Sequence, residues 1–210
     1  FDLDGTLLNT IEDLGDSMNS VLVNHGWPVF SIKDYKDKVG DGIEKLVQRS
    51  IPFNLSYDAE KLTPFVQEFI STYEQRWHQK TAPYPGVMTI LHSLQEKGVK
   101  IAVLSNKMDS FTQLCIQYFF PDIIFDCVQG SIPGTPKKPD PSSALQIAAK
   151  LGLSPESILY VGDTPIDMNT ANNAGMQAIG VSWGFRSANQ LVESGAVMII
   201  NKPESLDWLF

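Results

Sequence analysis

From Thr10 to Lys80 the apolar residues recur at helical spacing. Ile11, Leu14, Met18, Val21, Leu22 and His25 fall on one side of a first helix. Thr10-x-x-Asp13 has the form of a capping box before it, and Gly26 closes it. Ser31-x-x-Asp34 opens a second helix, expected to end near Gly40, and residues 43–49 read as a third. Leu62, Phe65, Val66, Phe69, Tyr73 and Trp77 follow i, i+3, i+4, i+7 spacing. They predict a long amphipathic helix running to about Gln79, with Pro64 obscuring its start.

Past the stiff turn Pro83-Tyr84-Pro85-Gly86 the pattern changes. Short apolar runs at 99–104, 125–128, 158–161, 178–181 and 197–200 predict strands. Helices are expected at 87–97, 109–119 (with Asp109 as its cap), 142–150 and 167–174, and between the last two strands. A Pro-rich loop spans 133–141. Strands alternating with helices imply βαβ units and a parallel sheet. Phe1-Asp2-Leu3-Asp4-Gly5-Thr6 reads as a strand end leading into a loop, so an apolar stretch is expected before Phe1. The fold class is α/β. A Rossmann-like core of residues 1–13 and 81–210 is interrupted by an all-helical insert, residues 14–80.

Composition narrows the function. The chain has 210 residues, 43% apolar and 19% charged, which is ordinary globular composition. Sixteen Lys and Arg against 24 Asp and Glu give a net charge of −8, which argues against nucleic acid as a partner. An anionic substrate must then be drawn in by a metal or a placed Lys. Cys115 and Cys127 have no zinc-type spacing and read as reduced thiols, and no signal peptide is visible, so a cytoplasmic location is expected. No apolar run approaches the ~20 residues of a membrane helix.

In open α/β sheets ligands bind beyond the carboxyl ends of the strands, and four such ends carry chemistry. In Asp2-Leu3-Asp4-Gly5-Thr6 the two carboxylates, two residues apart, point the same way and repel unless a cation or proton intervenes. In Val103-Leu104-Ser105-Asn106 a hydroxyl and an amide can donate to a phosphoryl oxygen. In Lys137-Lys138-Pro139-Asp140-Pro141 the prolines fix the backbone, so that either Lys can be held as a clamp on an anion. In Val161-Gly162-Asp163-Thr164-Pro165-Ile166-Asp167 two acids flank a strand-to-helix turn and suit Mg²⁺. Each alone reads equally well as a turn, a solvated lysine or a helix-end acid. Their order along one chain makes the set specific.

With these motifs the chain resembles the haloacid dehalogenase superfamily, and within it the phosphoglycolate phosphatase-like members with a C1 helical cap. Residues 1–10, Ser105-Asn106, Lys138 before Pro139, and residues 161–175 carry the likeness, which spans essentially the whole chain. The resemblance implies that Asp2 attacks phosphorus and becomes an aspartyl-phosphate. It implies that Asp4 protonates the leaving alkoxide and then takes a proton from the attacking water. Mg²⁺ would be held by the Asp2 carboxylate, the Asp4 carbonyl and Asp163, with Asp167 direct or through water. Ser105, Asn106 and Lys138 would hold the phosphoryl oxygens. Superfamily dehalogenases lack the second Asp, so Asp4 argues for phosphoryl chemistry. Asn9 stands where relatives often carry Asp, and Pro165-Ile166 sit inside the last motif.

The resemblance makes 2-phosphoglycolate the leading substrate, with other small phosphate monoesters, pyrophosphate and nucleotides behind it. A β-phosphoglucomutase-like mutase is the rival from another class, but no basic and His cluster stands early in the insert. A non-catalytic binding protein would lack a motif residue. In the insert, Gly40 and Gly42 resemble the glycine-flanked helix start of such caps, where a helix N-terminus can meet an anion, and Arg49 lies on that helix. Hinges are expected near residues 9–13 and 81–85, and Trp183-Gly184-Phe185-Arg186 can border the site. The expected partner is a small phosphate ester, with no nucleic acid or membrane, acting in a monomer or homodimer.

Overall fold

The computed structural model describes residues 1–56 and 59–210. The chain divides into two compact units, Phe1–Asn9 with Pro83–Phe210, and Thr10–Ala82. Each boundary of the helical unit falls at a two-residue strand, β1 (Leu8–Asn9) and β2 (Ala82–Pro83).

The unit Thr10–Ala82 is helical, with α1 (Ile11–Asn24), α2 (Ile32–Tyr35), α3 (Ile43–Gln48), α4 (Phe53–Ser56) and α5 (Ala59–Glu74). The helical stripe is why these pack: α1 buries Leu14, Met18, Val21 and Leu22, and α5 buries Phe69 and Tyr73, whose rings stack. Helix α5 runs through Pro64 at the loss of a backbone donor, and after Glu74 the chain tightens into i→i+3 turns rather than continuing to Gln79. The box at Ser31 and Asp34 forms as expected. At Thr10 it does not. Asp13 instead accepts from the Lys80 and Thr81 backbone N–H groups (3.0 and 2.8 Å) and the Thr81 hydroxyl (2.7 Å), within the same unit.

The other unit is a parallel α/β layer structure. Strand β3 (Ala102–Met108) pairs with β4 (Cys127–Ser131), and β5 (Leu159–Gly162) pairs with β6 (Gln177–Val181), which pairs with β7 (Met198–Ile200), all parallel. Residues 1–2 join the two groups. Leu104 N donates to Phe1 O, and Asp2 N donates to Val161 O, each at 2.9 Å. Helices α6 (Val87–Glu96), α7 (Asp109–Phe119), α8 (Ser142–Leu151), α9 (Pro165–Asn173) and α10 (Ala188–Glu193) connect the strands. Ala144, Ala148, Ala171 and Ala174 let α8 and α9 lie close on the sheet, around Leu104, Tyr160 and Met176.

Strand β3 starts later than the apolar run predicts and ends later. Gly98 and Val99 are still closing α6, donating to Gln95 O and Leu94 O. Beyond Leu104 the backbone stays extended through Ser105, Asn106 and Lys107, although the apolar signal has stopped. Strand β4 is likewise displaced, to 127–131. Helix α7 matches its expected bounds, but Asp109 is its first residue rather than its cap, and its carboxylate accepts from Gly130 N at 2.7 Å. Helix α9 begins two residues earlier than expected, with Pro165 in its first turn. Among the described residues no helix is long and apolar enough to cross a membrane.

Candidate active site

The carboxyl ends of residues 1–2, β3 and β5 meet, and seven of the residues singled out from sequence gather there: Asp2, Asp4, Ser105, Asn106, Lys138, Asp163 and Asp167. After Asp2 the chain folds into a tight turn in which Leu3 O accepts from the N–H groups of Leu7 and Leu8, both at 3.0 Å. Gly5 makes the turn possible with φ at 93°. A side chain on Gly5 would run into the Asp163 carboxylate, and one on Gly184 would strike Asp163 from another direction. Asp163 is wholly buried between these two glycines. Its Oδ1 accepts from the Thr6 hydroxyl (2.9 Å) and its Oδ2 from Phe185 N (2.8 Å).

Lys138 is the second fixed point. Its ammonium donates to Asp2 Oδ1 at 2.8 Å, Asp167 Oδ1 at 2.7 Å and Leu104 O at 3.2 Å, so each of its protons has an acceptor. Lys138 is thus a lysine of the 137–141 segment that the structure brings to Asp2 and Asp167. Asn106 orients it: Oδ1 accepts from Lys138 N (2.9 Å) and Nδ2 donates to Lys138 O (3.2 Å). The Asn106 amide is therefore turned to the Lys138 backbone. Asp167 Oδ2 accepts from the N–H and hydroxyl of Thr164, at 3.0 and 2.7 Å.

Charge is the dominant feature. Asp2, Asp163 and Asp167 are buried and each offers an oxygen within 4.8 Å of the others. Burial, and then the Asp167 charge, push the Asp2 carboxyl up to about 7 despite Lys138 beside it. Burial, then Asp167 and Asp2, push Asp163 well above the usual carboxylate range against the two hydrogen bonds it accepts. Burial works against the Lys138 charge, but Asp167 and Asp2 outweigh it and hold the ammonium well above the ordinary lysine range. Three carboxylates gathered in so buried a place favour a bound cation or proton among them. That donor set, all hard oxygens at one strand-end cleft, fits a divalent cation such as Mg²⁺.

The family model described as haloacid dehalogenase-like hydrolase matches residues 1–181. The chain belongs to that family. It is 29% identical over 204 residues to a phosphoglycolate phosphatase of Pseudomonas savastanoi pv. phaseolicola, covering 96% of this chain and 75% of that one. It is 32% identical to a phosphoglycolate phosphatase of Vibrio cholerae, covering 92% of this chain and 88% of the relative. A crystal structure from Lactobacillus delbrueckii subsp. bulgaricus, named there as a candidate phosphoglycolate phosphatase, superimposes with a TM-score of 0.92 at 31% identity, over 100% of this chain and 95% of that one. The protein is accordingly an enzyme of the phosphoric monoester hydrolase class.

In this haloacid dehalogenase-like hydrolase some site residues were given no role from sequence. Thr6 and the backbone N–H of Phe185 hold Asp163, and Thr164 holds Asp167; Thr164-x-x-Asp167 is itself a capping-box pattern that signals the earlier start of α9. Lys107, two residues beyond Ser105, places its ammonium 3.2 Å from Asp4 Oδ1. Trp183 Nε1 donates to Thr6 O (3.0 Å), so the 183–186 segment does border the site. Gly40, Gly42 and Arg49 belong to the helical unit. Gly42, with φ at 90°, caps α3, while the Arg49 guanidinium is engaged by Asp41 at 2.6 Å and donates to Lys38 O. An apolar cavity of about 320 Å³, lined by Leu94, Val103, Ile147 and Ile158 among others, includes none of the site carboxylates.

Proposed function

We propose that this enzyme is a Mg²⁺-dependent phosphatase that hydrolyses 2-phosphoglycolate through an aspartyl-phosphate on Asp2. The observation that carries this reading is the buried Asp2, Asp163 and Asp167 cluster with the Lys138 ammonium bonded to two of the three. The names of the relatives from P. savastanoi and V. cholerae support the substrate.

Asp2 attacks phosphorus and the bond to the ester oxygen breaks. Asp4 gives its proton to the departing alkoxide, then takes one from the water that cleaves the acyl phosphate, which returns Asp2 to its carboxylate and releases phosphate. Ser105 donates to a phosphoryl oxygen. Lys138 exchanges its longest bond, the one to Leu104 O, for another, with Asn106 holding its backbone in place. The Asp2 carboxylate, the Asp4 carbonyl and Asp163 would hold Mg²⁺. Asp167, whose oxygens accept from Lys138 and Thr164, would act directly or through water. When bound, the ion neutralises charge on the phosphoryl group and the carboxylates around it.

The test is a panel of phosphorylated metabolites assayed with Mg²⁺ and compared by kcat/KM. A clear preference for 2-phosphoglycolate is expected, and a flat profile overturns the substrate assignment. Asp2→Asn is expected to abolish turnover while the fold is kept, and EDTA to inactivate reversibly. Substantial turnover by Asp2→Asn removes the nucleophile assignment, and full activity in EDTA removes the metal.

A further inference from the structure

We propose that Lys107 is a positioning residue that holds the Asp4 side chain in place for proton transfer. The inference rests on the reading of Asp4 given above. Lys107 Nζ lies 3.2 and 3.3 Å from the two Asp4 carboxylate oxygens, so it spans the carboxylate rather than touching one corner. The Lys107 side chain is 3% exposed and that of Asp4 is 18% exposed. An ammonium so enclosed is held where a carboxylate meets it, because leaving it unpaired away from water is strongly unfavourable. The Asp4 side chain is the more open of the two, so the enclosed ammonium is the better anchored partner of the pair.

The backbone of Lys107 is fixed from both sides. Its N–H donates to Ser105 Oγ at 3.2 Å, and its carbonyl accepts from Thr112 Oγ1 at 3.3 Å. The pairing of β3 with β4 is irregular between Leu104 and Met108, the stretch that contains Ser105, Asn106 and Lys107. Two lysines thus serve different carboxylates. Lys138 is bonded to Asp2 and Asp167, while Lys107 is bonded to Asp4. The direct roles in the reaction leave Lys107 unused, and its contact with both Asp4 oxygens gives it a route to the chemistry through the direction in which Asp4 points.

Leaving groups separate this role from a merely structural one. An alkoxide needs a proton to depart, whereas p-nitrophenolate leaves without one. In Lys107→Met, kcat/KM for the best alkyl phosphate is expected to fall on the order of 10²-fold, the lower end of general-acid contributions. For p-nitrophenyl phosphate the fall is expected to be less than about 5-fold, and Lys107→Arg should recover part of the loss. In an Asp4→Asn background, adding Lys107→Met should cost less than about 3-fold more, because the two act as one unit. Equal falls for both esters, or an undiminished fall in the Asp4→Asn background, overturn the proposal. If Lys107→Met does not fold, Lys107→Gln is measured in the same way. A crystal structure of the folded variant supplies an arm independent of turnover: the Asp4 carboxylate is expected to leave its position, and finding it unmoved overturns the proposal. Failure of the Asp4 reading itself is told apart by Asp4→Asn alone, which would then show no preference against alkyl esters.

Discussion

Thr6 and Asp163, 157 residues apart in the chain, meet through a 2.9 Å hydrogen bond from hydroxyl to carboxylate. The bond ties the first loop to the end of β5 and leaves the Asp163 oxygens facing a defined direction. If Asp163 holds Mg²⁺ as proposed, a group that orients it in this way is expected to contribute about 10–100-fold to metal affinity. Thr6→Val keeps the shape and deletes the donor, so Mg²⁺ affinity is expected to fall about 10-fold with little change in unfolding temperature. Isothermal titration of the two proteins with Mg²⁺ checks this; equal affinities would leave Thr6 as packing only.

Lys138 illustrates the cost of removing one partner from a buried ionic group. Lys138→Met strands Asp2 and Asp167 without their shared ammonium. The metal-free variant is expected to lose about 3–5 kcal/mol of stability at neutral pH. Urea unfolding of both proteins in EDTA measures the difference, and a loss below about 1 kcal/mol would contradict it.

The site carboxylates also set a pH dependence. The folded Asp2 carboxyl is pushed up to about 7, against 3.8 for an ordinary aspartate, and Asp163 is raised too. Between those values the folded state holds more protons than the unfolded one, so stability falls as pH rises. The contribution is present below about 3.8 and is lost as pH climbs towards about 7. Metal-free Asp2→Asn, which carries no charge there at any pH, is expected to gain on the wild type in unfolding temperature between about pH 5 and pH 7. A difference that stays constant across that range would contradict the prediction.

Asp13 gives a prediction in the helical unit. Its carboxylate accepts from two backbone N–H groups and a hydroxyl at residues 80–81. Asp13→Ala leaves these donors without an acceptor and is expected to destabilise by at least about 2 kcal/mol. Faster hydrogen exchange at the Lys80 and Thr81 amides should accompany the loss.

Asp13 also shows where sequence reading runs out. Thr10-x-x-Asp13 matches a local capping pattern, but the partners Asp13 takes lie 67 and 68 residues further on, and no local pattern announces them. The α/β class and the helical stretch were legible because burial imposes periodicity on the chain, and α7 was found at its full length for that reason. Strand β3 was misplaced because its later residues Ser105, Asn106 and Lys107 are buried but polar, so the apolar signal stops at Leu104 while the strand goes on. Lys107 was within reach: it stands two residues from Ser105 in an extended segment, the spacing that made Asp2 and Asp4 notable. What hid it was that its importance depends on contact with Asp4, 103 residues away.

The clasp between the Asn106 side chain and the Lys138 backbone has a consequence for how this enzyme can vary. An amide that accepts from one N–H and donates to the C=O of the same residue imitates a neighbouring strand. Lys138 is thereby registered to β3 and not to the exposed segment 132–136 that delivers it. Changes in that segment are therefore expected to leave the ammonium in place. The placement of the lysine is insulated from the loop that carries it, and a single amide provides the insulation.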